Sequence, residues 1–168
     1  MGMAAQGVLS IGDLFGAAAV LQESGQLPAA IALYRTWIDH TPSPIAYAAC
    51  FNLAVVLSNA GDDPGAEAVL RRAIAQNPHF VEARLNLGTL LERTGRPNDA
   101  LAMWQSILSD PIEPDIKTNT TLYIQTLNNL GRLLEIQKRY PEAEAMLAVS
   151  LGVDPQQANV MTHWVHLR

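Results

Sequence analysis

Three asparagines have the residue type and the spacing for a binding surface. Asn52, Asn86 and Asn129 lie in similar settings: Phe51-Asn52-Leu53-Ala54, Leu85-Asn86-Leu87-Gly88 and Asn128-Asn129-Leu130-Gly131. The first two segments stand 34 residues apart and the last two 43. A carboxamide carries a donor and an acceptor, which matches a peptide backbone amide whatever the side chains around it. Asn is a mediocre helix former, so its return in the middle of helical patterns calls for a reason. Two reasons stand side by side: a ladder that grips an extended polypeptide, or a framework role in which each amide bonds a neighbouring helix. Gly16 breaks the row in the first copy, and His163 takes the place in the last helix.

Other reactive side chains make weaker cases. His163 and His166 are spaced to share a metal, but no Cys or further His is close and Asp154 lies beyond Pro155, so a packing or solvated role is expected. Glu142 and Glu144 flank a helix start, where negative charge complements the helix dipole. Cys50 lies between Ala49 and Phe51 with nothing basic nearby in sequence, which reads as buried and inert. There is no nucleophile–base constellation, phosphate-cradling glycine loop or metal motif. No catalytic residue, metal or cofactor is therefore expected in this chain.

The elements that carry these residues follow from the apolar period. Leu53, Leu87 and Leu130 are followed four residues later by Leu57, Leu91 and Leu134, which places each pair on one face of a first helix. Between them Ala54, Gly88 and Gly131 leave room for a second helix. Gly25, Gly61 and Gly95 suit the turn, since glycine tolerates left-handed backbone angles just past a helix end. The fourth copy has Lys138 there. A left-handed lysine costs about 1 kcal/mol, so a differently built turn is expected. Second helices carry Ala30, Ala66, Ala100 and Ala143, each followed four residues on by Tyr34, Leu70, Trp104 or Leu147. Pro42, Pro78 and Pro155 stop these helices, and Pro111 comes slightly early.

This framework and its period of about 34 residues resemble the tetratricopeptide-repeat (TPR) family. The resemblance implies an all-α fold: an α-solenoid of antiparallel helix pairs wound into a right-handed superhelix. One domain is expected over residues 1–168, with pairs near 11–42, 45–78, 80–111 and 116–155 and a terminal helix over 157–168. The extra length of the last repeat falls at Asp110-Pro111-Ile112-Glu113-Pro114, followed by a long helix from Lys117 to Gln137. First helices of such a superhelix line its concave wall. The expected peptide-binding set is Asn52, Asn86 and Asn129 together with Val55, Asn59, Glu82, Thr89, Arg93, Gln125 and Arg132; Glu92 and Asn128 share that wall. Phe15 and Ala19 replace the Lys and Asn of the chaperone-tail clamp, so a C-terminal carboxylate is not the expected ligand.

The run His163-Trp164-Val165-His166-Leu167-Arg168 is similar to the junction between repeats and catalytic domain in bacterial O-linked N-acetylglucosamine transferases of the Spindly type. That similarity implies a fragment of a longer protein, recognising substrates for a C-terminal glycosyltransferase domain absent from this sequence. The alternative is a scaffold that forms a homodimer through Val160, Trp164 and Leu167.

Bulk composition narrows the partners. Sixteen acidic residues against eleven basic ones give a net charge of −5, and the basic residues are scattered. That is not the electrostatic footprint of a nucleic-acid binder. A single cysteine permits no internal disulfide and fits a reducing compartment. The apolar stretch from Met1 to Leu21 lacks the basic start of a secretory signal, and no apolar run is long enough to span a membrane. A cytoplasmic protein with a protein or peptide partner, and with neither nucleic acid nor membrane, is expected.

Overall fold

Each helix begins and ends where local chemistry dictates. The computed structural model describes residues 9–109, 120–157 and 160–162, and among them the fold is all-α, without strands. In chain order the helices are α1 (Ile11–Glu23), α2 (Leu27–His40), α3 (Ala46–Asn59), α4 (Asp63–Gln76), α5 (Val81–Arg93), α6 (Pro97–Leu108), α7 (Thr120–Ile136) and α8 (Tyr140–Val153). They pack as consecutive pairs, α1 with α2, α3 with α4, α5 with α6 and α7 with α8. Two compact units divide between Pro78 and His79, the first holding α1–α4 and the second α5–α8.

The turn inside each pair is built the same way four times. Gly25, Gly61 and Gly95 have φ of 74°, 80° and 80°. The amide of the glycine bonds back to the carbonyl of Gln22, Ser58 or Glu92, and the next amide bonds to Leu21, Leu57 or Leu91, at 2.8–3.1 Å. This double closure satisfies carbonyls that the helix end would leave bare. Lys138 adopts the same conformation, with φ 62°, and its turn closes onto Glu135 and Leu134 at 2.9 Å each. The expectation of a different fourth turn is thus corrected. Two backbone hydrogen bonds and a buried Leu134 hold a lysine in a region where its Cβ is crowded. Each second helix then starts on a proline in its first or second position: Pro28, Pro64, Pro97 and Pro141. Proline has no amide hydrogen to waste there, and its φ is already helical.

In the first unit Leu14, Ala18, Ala30 and Tyr34 join Cys50, Leu53, Leu57, Ala66 and Leu70 in the core, each no more than 2% exposed. The Trp37 ring also donates from Nε1 to the Leu9 carbonyl at 2.7 Å, which ties the chain ahead of α1 to α2. In the second unit the core holds Leu87, Leu91, Trp104, Ile107, Leu127, Leu130 and Leu134. Gly88 and Gly131 set the helix spacing here. A Cβ on Gly88 would stand 2.6 Å from Cδ1 and Cε2 of Trp104, and closer still to Nε1. The Trp104 ring is fully buried and donates across the pair to the Leu85 carbonyl at 3.2 Å. A Cβ on Gly131 would stand 2.7 Å from Cγ of Leu147. The glycines therefore leave the volume that the large residues of the second helices fill.

Two substitutions test this account. Lys138→Gly is expected to stabilise the protein by about 1 kcal/mol by removing the left-handed penalty, seen as a higher urea midpoint at unchanged slope. Gly88→Ala is expected to destabilise it by about 1–3 kcal/mol, because neither ring nor backbone can yield without strain. A neutral Gly88→Ala midpoint would show that the helices of this pair are free to separate.

Candidate functional site

The stripe of each first helix that the core does not consume carries the expected ligand-facing residues. On α3, Leu53, Val56 and Leu57 are buried while Asn52 is half-buried and Val55 and Asn59 are exposed. Positions 52, 55 and 59 fall on one helical stripe. On α5, Glu82 and Asn86 are half-buried and Thr89 and Arg93 exposed, again one stripe between buried leucines. On α7, Asn129 is half-buried between exposed Gln125 and exposed Arg132. Each ladder asparagine stands nine residues ahead of its left-handed turn residue: Asn52 before Gly61, Asn86 before Gly95, Asn129 before Lys138. Gly16 stands nine ahead of Gly25, and a Cβ there would meet nothing within 4 Å.

The three carboxamides make no side-chain hydrogen bond to any described residue. Their neighbours differ in this respect. The Thr89 hydroxyl donates to the Leu85 carbonyl at 3.1 Å. Arg132 forks onto Glu92 of α5, with Nη1 donating to Oε1 at 2.8 Å and Nη2 to Oε2. This hydrogen-bonded carboxylate holds the Arg132 pKa above its ordinary value, against a smaller opposing effect of burial. Asn128, placed by sequence on the same wall, belongs elsewhere. Its Oδ1 accepts from the fully buried Ser150 hydroxyl at 2.6 Å and its Nδ2 donates to Gln157 Oε1 at 2.7 Å.

The comparisons with known proteins come to the same architecture. Three family models, each a tetratricopeptide repeat, match residues 15–79, 60–111 and 124–152. The chain belongs to the tetratricopeptide-repeat family. Among solved structures, it is similar to BtubC from P. vanneervenii, at 14% identity and a TM-score of 0.78, covering 94% of this chain and 71% of that one. A MamA fragment from Desulfovibrio magneticus RS-1 is similar at 14% identity, with a TM-score of 0.71 and coverage of 92% and 81%. YrrB, described as a TPR protein with an unusual peptide-binding site, is similar at 17% identity, with a TM-score of 0.68 and coverage of 89% and 72%. At these identities the likeness shows the TPR fold alone. No curated protein matches.

Within this TPR chain the remaining candidates fall into place. Glu142 lies in the first turn of α8 and takes both Nε and Nη2 of Arg139, at 2.8 and 2.7 Å. The hydrogen bonds from Arg139 hold its carboxyl below the usual range. Arg96 and Asp99 repeat the arrangement at the start of α6, at 2.8 Å. Among the described residues no group of three or more His, Cys, Asp and Glu could hold a metal, and no described helix is long and apolar enough to cross a membrane. Val160 is half-buried in a short helical stretch; Trp164 and Leu167, with His163 and His166, lie outside the described residues, as does the insertion at 110–116.

Cys50 is fully buried. Burial pushes its thiol pKa up; the Arg72 guanidinium, unseen in the local sequence, partly offsets this, and the Asp39 carboxylate adds to the rise. The native protein at pH 8 is expected to react with a disulfide reagent far more slowly than the urea-unfolded chain, since only the thiolate attacks. Equal rates would place Cys50 at the surface.

Proposed function

We propose that this TPR chain binds extended polypeptide on the exposed stripes of its first helices: in the first unit on α3, where Asn52 bonds the ligand backbone, and in the second unit on α5 and α7, where Asn86 and Asn129 do so. The observation that carries the reading is the state of these amides. All three hold one register position, all are half-buried, and none is satisfied by a described residue. A half-buried carboxamide without a partner is poorly placed against water and well placed for a ligand amide. The framework reading would need each amide to bond a neighbouring helix, as Asn128 does. Val55, Asn59, Glu82, Thr89, Gln125 and Arg93 complete the lining. The peptide-binding site named for YrrB supports a polypeptide as the ligand class.

The narrower role, presenting substrates to a glycosyltransferase domain, rests on the sequence run at residues 163–168 and adds no contact to those above. Self-association through Val160, Trp164 and Leu167 is the competing use of the chain, and light scattering of the same samples reports it.

The test compares the intact chain with an Asn52→Ala/Asn86→Ala/Asn129→Ala variant on an array of unrelated peptides. Binding that tolerates many sequences is expected from the intact chain, with affinity falling about 100- to 200-fold in the variant if each of the three lost bonds is worth about 1 kcal/mol. Retained helicity and an unchanged melting curve are expected alongside. If the folded variant binds as well as the parent, the asparagines are framework.

A further inference from the structure

The outward side of α8 lacks the polar residues that the other second helices keep there. Five, six and nine residues past Ala30, Ala66, Ala100 and Ala143, a second helix turns outward. At these places α2 has Arg35, Thr36 and Asp39, α4 has Arg71, Arg72 and Ala75, and α6 has Gln105, Ser106 and Ser109, all exposed except the half-buried Ser106. α8 has Ala148, Val149 and Gly152, with Val153 next, where α2 and α4 have His40 and Gln76. Val149 is 44% exposed and Val153 40%. From Ala145 to Val153 the helix carries no charge. It is apolar on nearly every side, a pattern that belongs to a buried helix.

The apolar surface widens beyond α8 itself. Ala145 shares a stripe with Val149. With Met146 it walls a groove of about 310 Å³ beside α6, floored by Leu130 and Leu134 and closed on the far side by Leu108. Glu142, the charge at the edge of this groove, is already matched by Arg139.

Two observations say what covers the face. A following helix of the same chain does not. α3 packs on α2 and α7 on α6, yet Arg35, Thr36 and Asp39, like Gln105 and Ser109, stay exposed. A first helix placed after α8 in the same way leaves Val149 open too. The charge pattern then favours the chain itself. At a net charge of −5 two copies repel, and a twofold contact sets each patch against its own duplicate. Such a patch has to be free of charge. Arg71 and Arg72 would oppose themselves across the axis; the α8 face has nothing to oppose. Ala145, Ala148 and Gly152 put little bulk between two backbones, so the valines of two such helices can meet.

We propose that the outward face of α8, with the groove beside it, is a docking surface for the same face of a second copy of this chain. Ala143, Leu147 and Ser150 turn the opposite side of α8 to α7, so the surface is separate from the Asn129 stripe. The inference stands apart from the peptide-binding reading, and its contact differs from one through Val160, Trp164 and Leu167.

Sedimentation velocity on the full chain at physiological salt is the test. A monomer–dimer equilibrium is expected, with a dissociation constant on the order of 10–100 μM, the weak range that suits a small interface. Val149→Glu/Val153→Glu and Val149→Lys/Val153→Lys variants change solvent-facing positions and are expected to keep the parent's urea midpoint. Each sets like charges against themselves and is expected to dimerise at least about tenfold more weakly. Mixed in equal amounts, the two are expected to form a heterodimer within about fivefold of the parent's affinity. Ala148→Glu and Ala148→Lys, on the same face, repeat the comparison should a valine variant lose its fold. A parent that stays monomeric to about 1 mM overturns the inference. So does a dimer that survives in both folded variants, which places the contact elsewhere. Folded variants whose mixture stays monomeric overturn it as well, since α8 then does not meet α8. Peptide binding by the monomeric variants is expected to match the parent's, so failure here leaves the proposed function standing.

Discussion

The close approach of two helices at a glycine determines what the rest of the second unit can do. Trp104 fills the space above Gly88, and Leu147 the space above Gly131. With these contacts made, a first helix has given one face to its partner. A second face goes to neighbouring helices: Val81, Ala83, Leu85, Leu87, Leu90 and Leu91 of α5 are all buried. At 3.6 residues per turn only one stripe is left over, and on α5 it is Glu82, Asn86, Thr89 and Arg93. The proposed binding surface is therefore the complement of the core. A residue on that stripe is exempt from packing and can be chosen for a ligand, and a half-buried amide is the type that apolar packing would not choose.

Much of this is legible in the sequence because it repeats. The leucine, small-residue and aromatic positions recur in register, and a period seen several times outweighs any single propensity. The prolines at 28, 64, 97 and 141 were equally visible and mark the start of each second helix, so they are a signal that a search for helix stops passes over. The fourth turn shows the limit of propensity. Lysine for glycine at a left-handed position is a penalty of about 1 kcal/mol, smaller than what the two closing hydrogen bonds and a buried leucine supply together. The same turn as in the other copies therefore forms.

Side-chain partnership was the least legible layer. Asn128 and Asn129 are adjacent and chemically identical, but about 100° of helical rotation separates them. One turns to Ser150 and Gln157, and the other to the outer stripe. Nothing in a single sequence tells which, because the answer depends on how α8 lies over α7. Glu92 and Arg132 are 40 residues apart, on helices whose relative rotation fixes the contact. Arg72, which bears on the thiol of Cys50, is another partner that only the fold brings close.

The cluster around Ser150 shows how a repeated position can be given a new task. Trp37, Ala73, Ile107 and Ser150 hold equivalent places in the four second helices, and the first three are apolar and buried. A serine there forfeits apolar burial and gains only if every polar group near it is satisfied. It is satisfied. The hydroxyl donates to Asn128, Gln157 Nε2 reaches the Ser150 oxygens at 3.0 and 3.1 Å, and the same amide donates to the Asp154 carbonyl at 2.9 Å. An apolar contact would hold whatever follows α8 in many orientations. Directional bonds accept one. The last repeat thus exchanges non-specific burial for directional bonds that fix Gln157 against α7 and α8, while Asn129, one residue along α7, makes no side-chain hydrogen bond to a described residue.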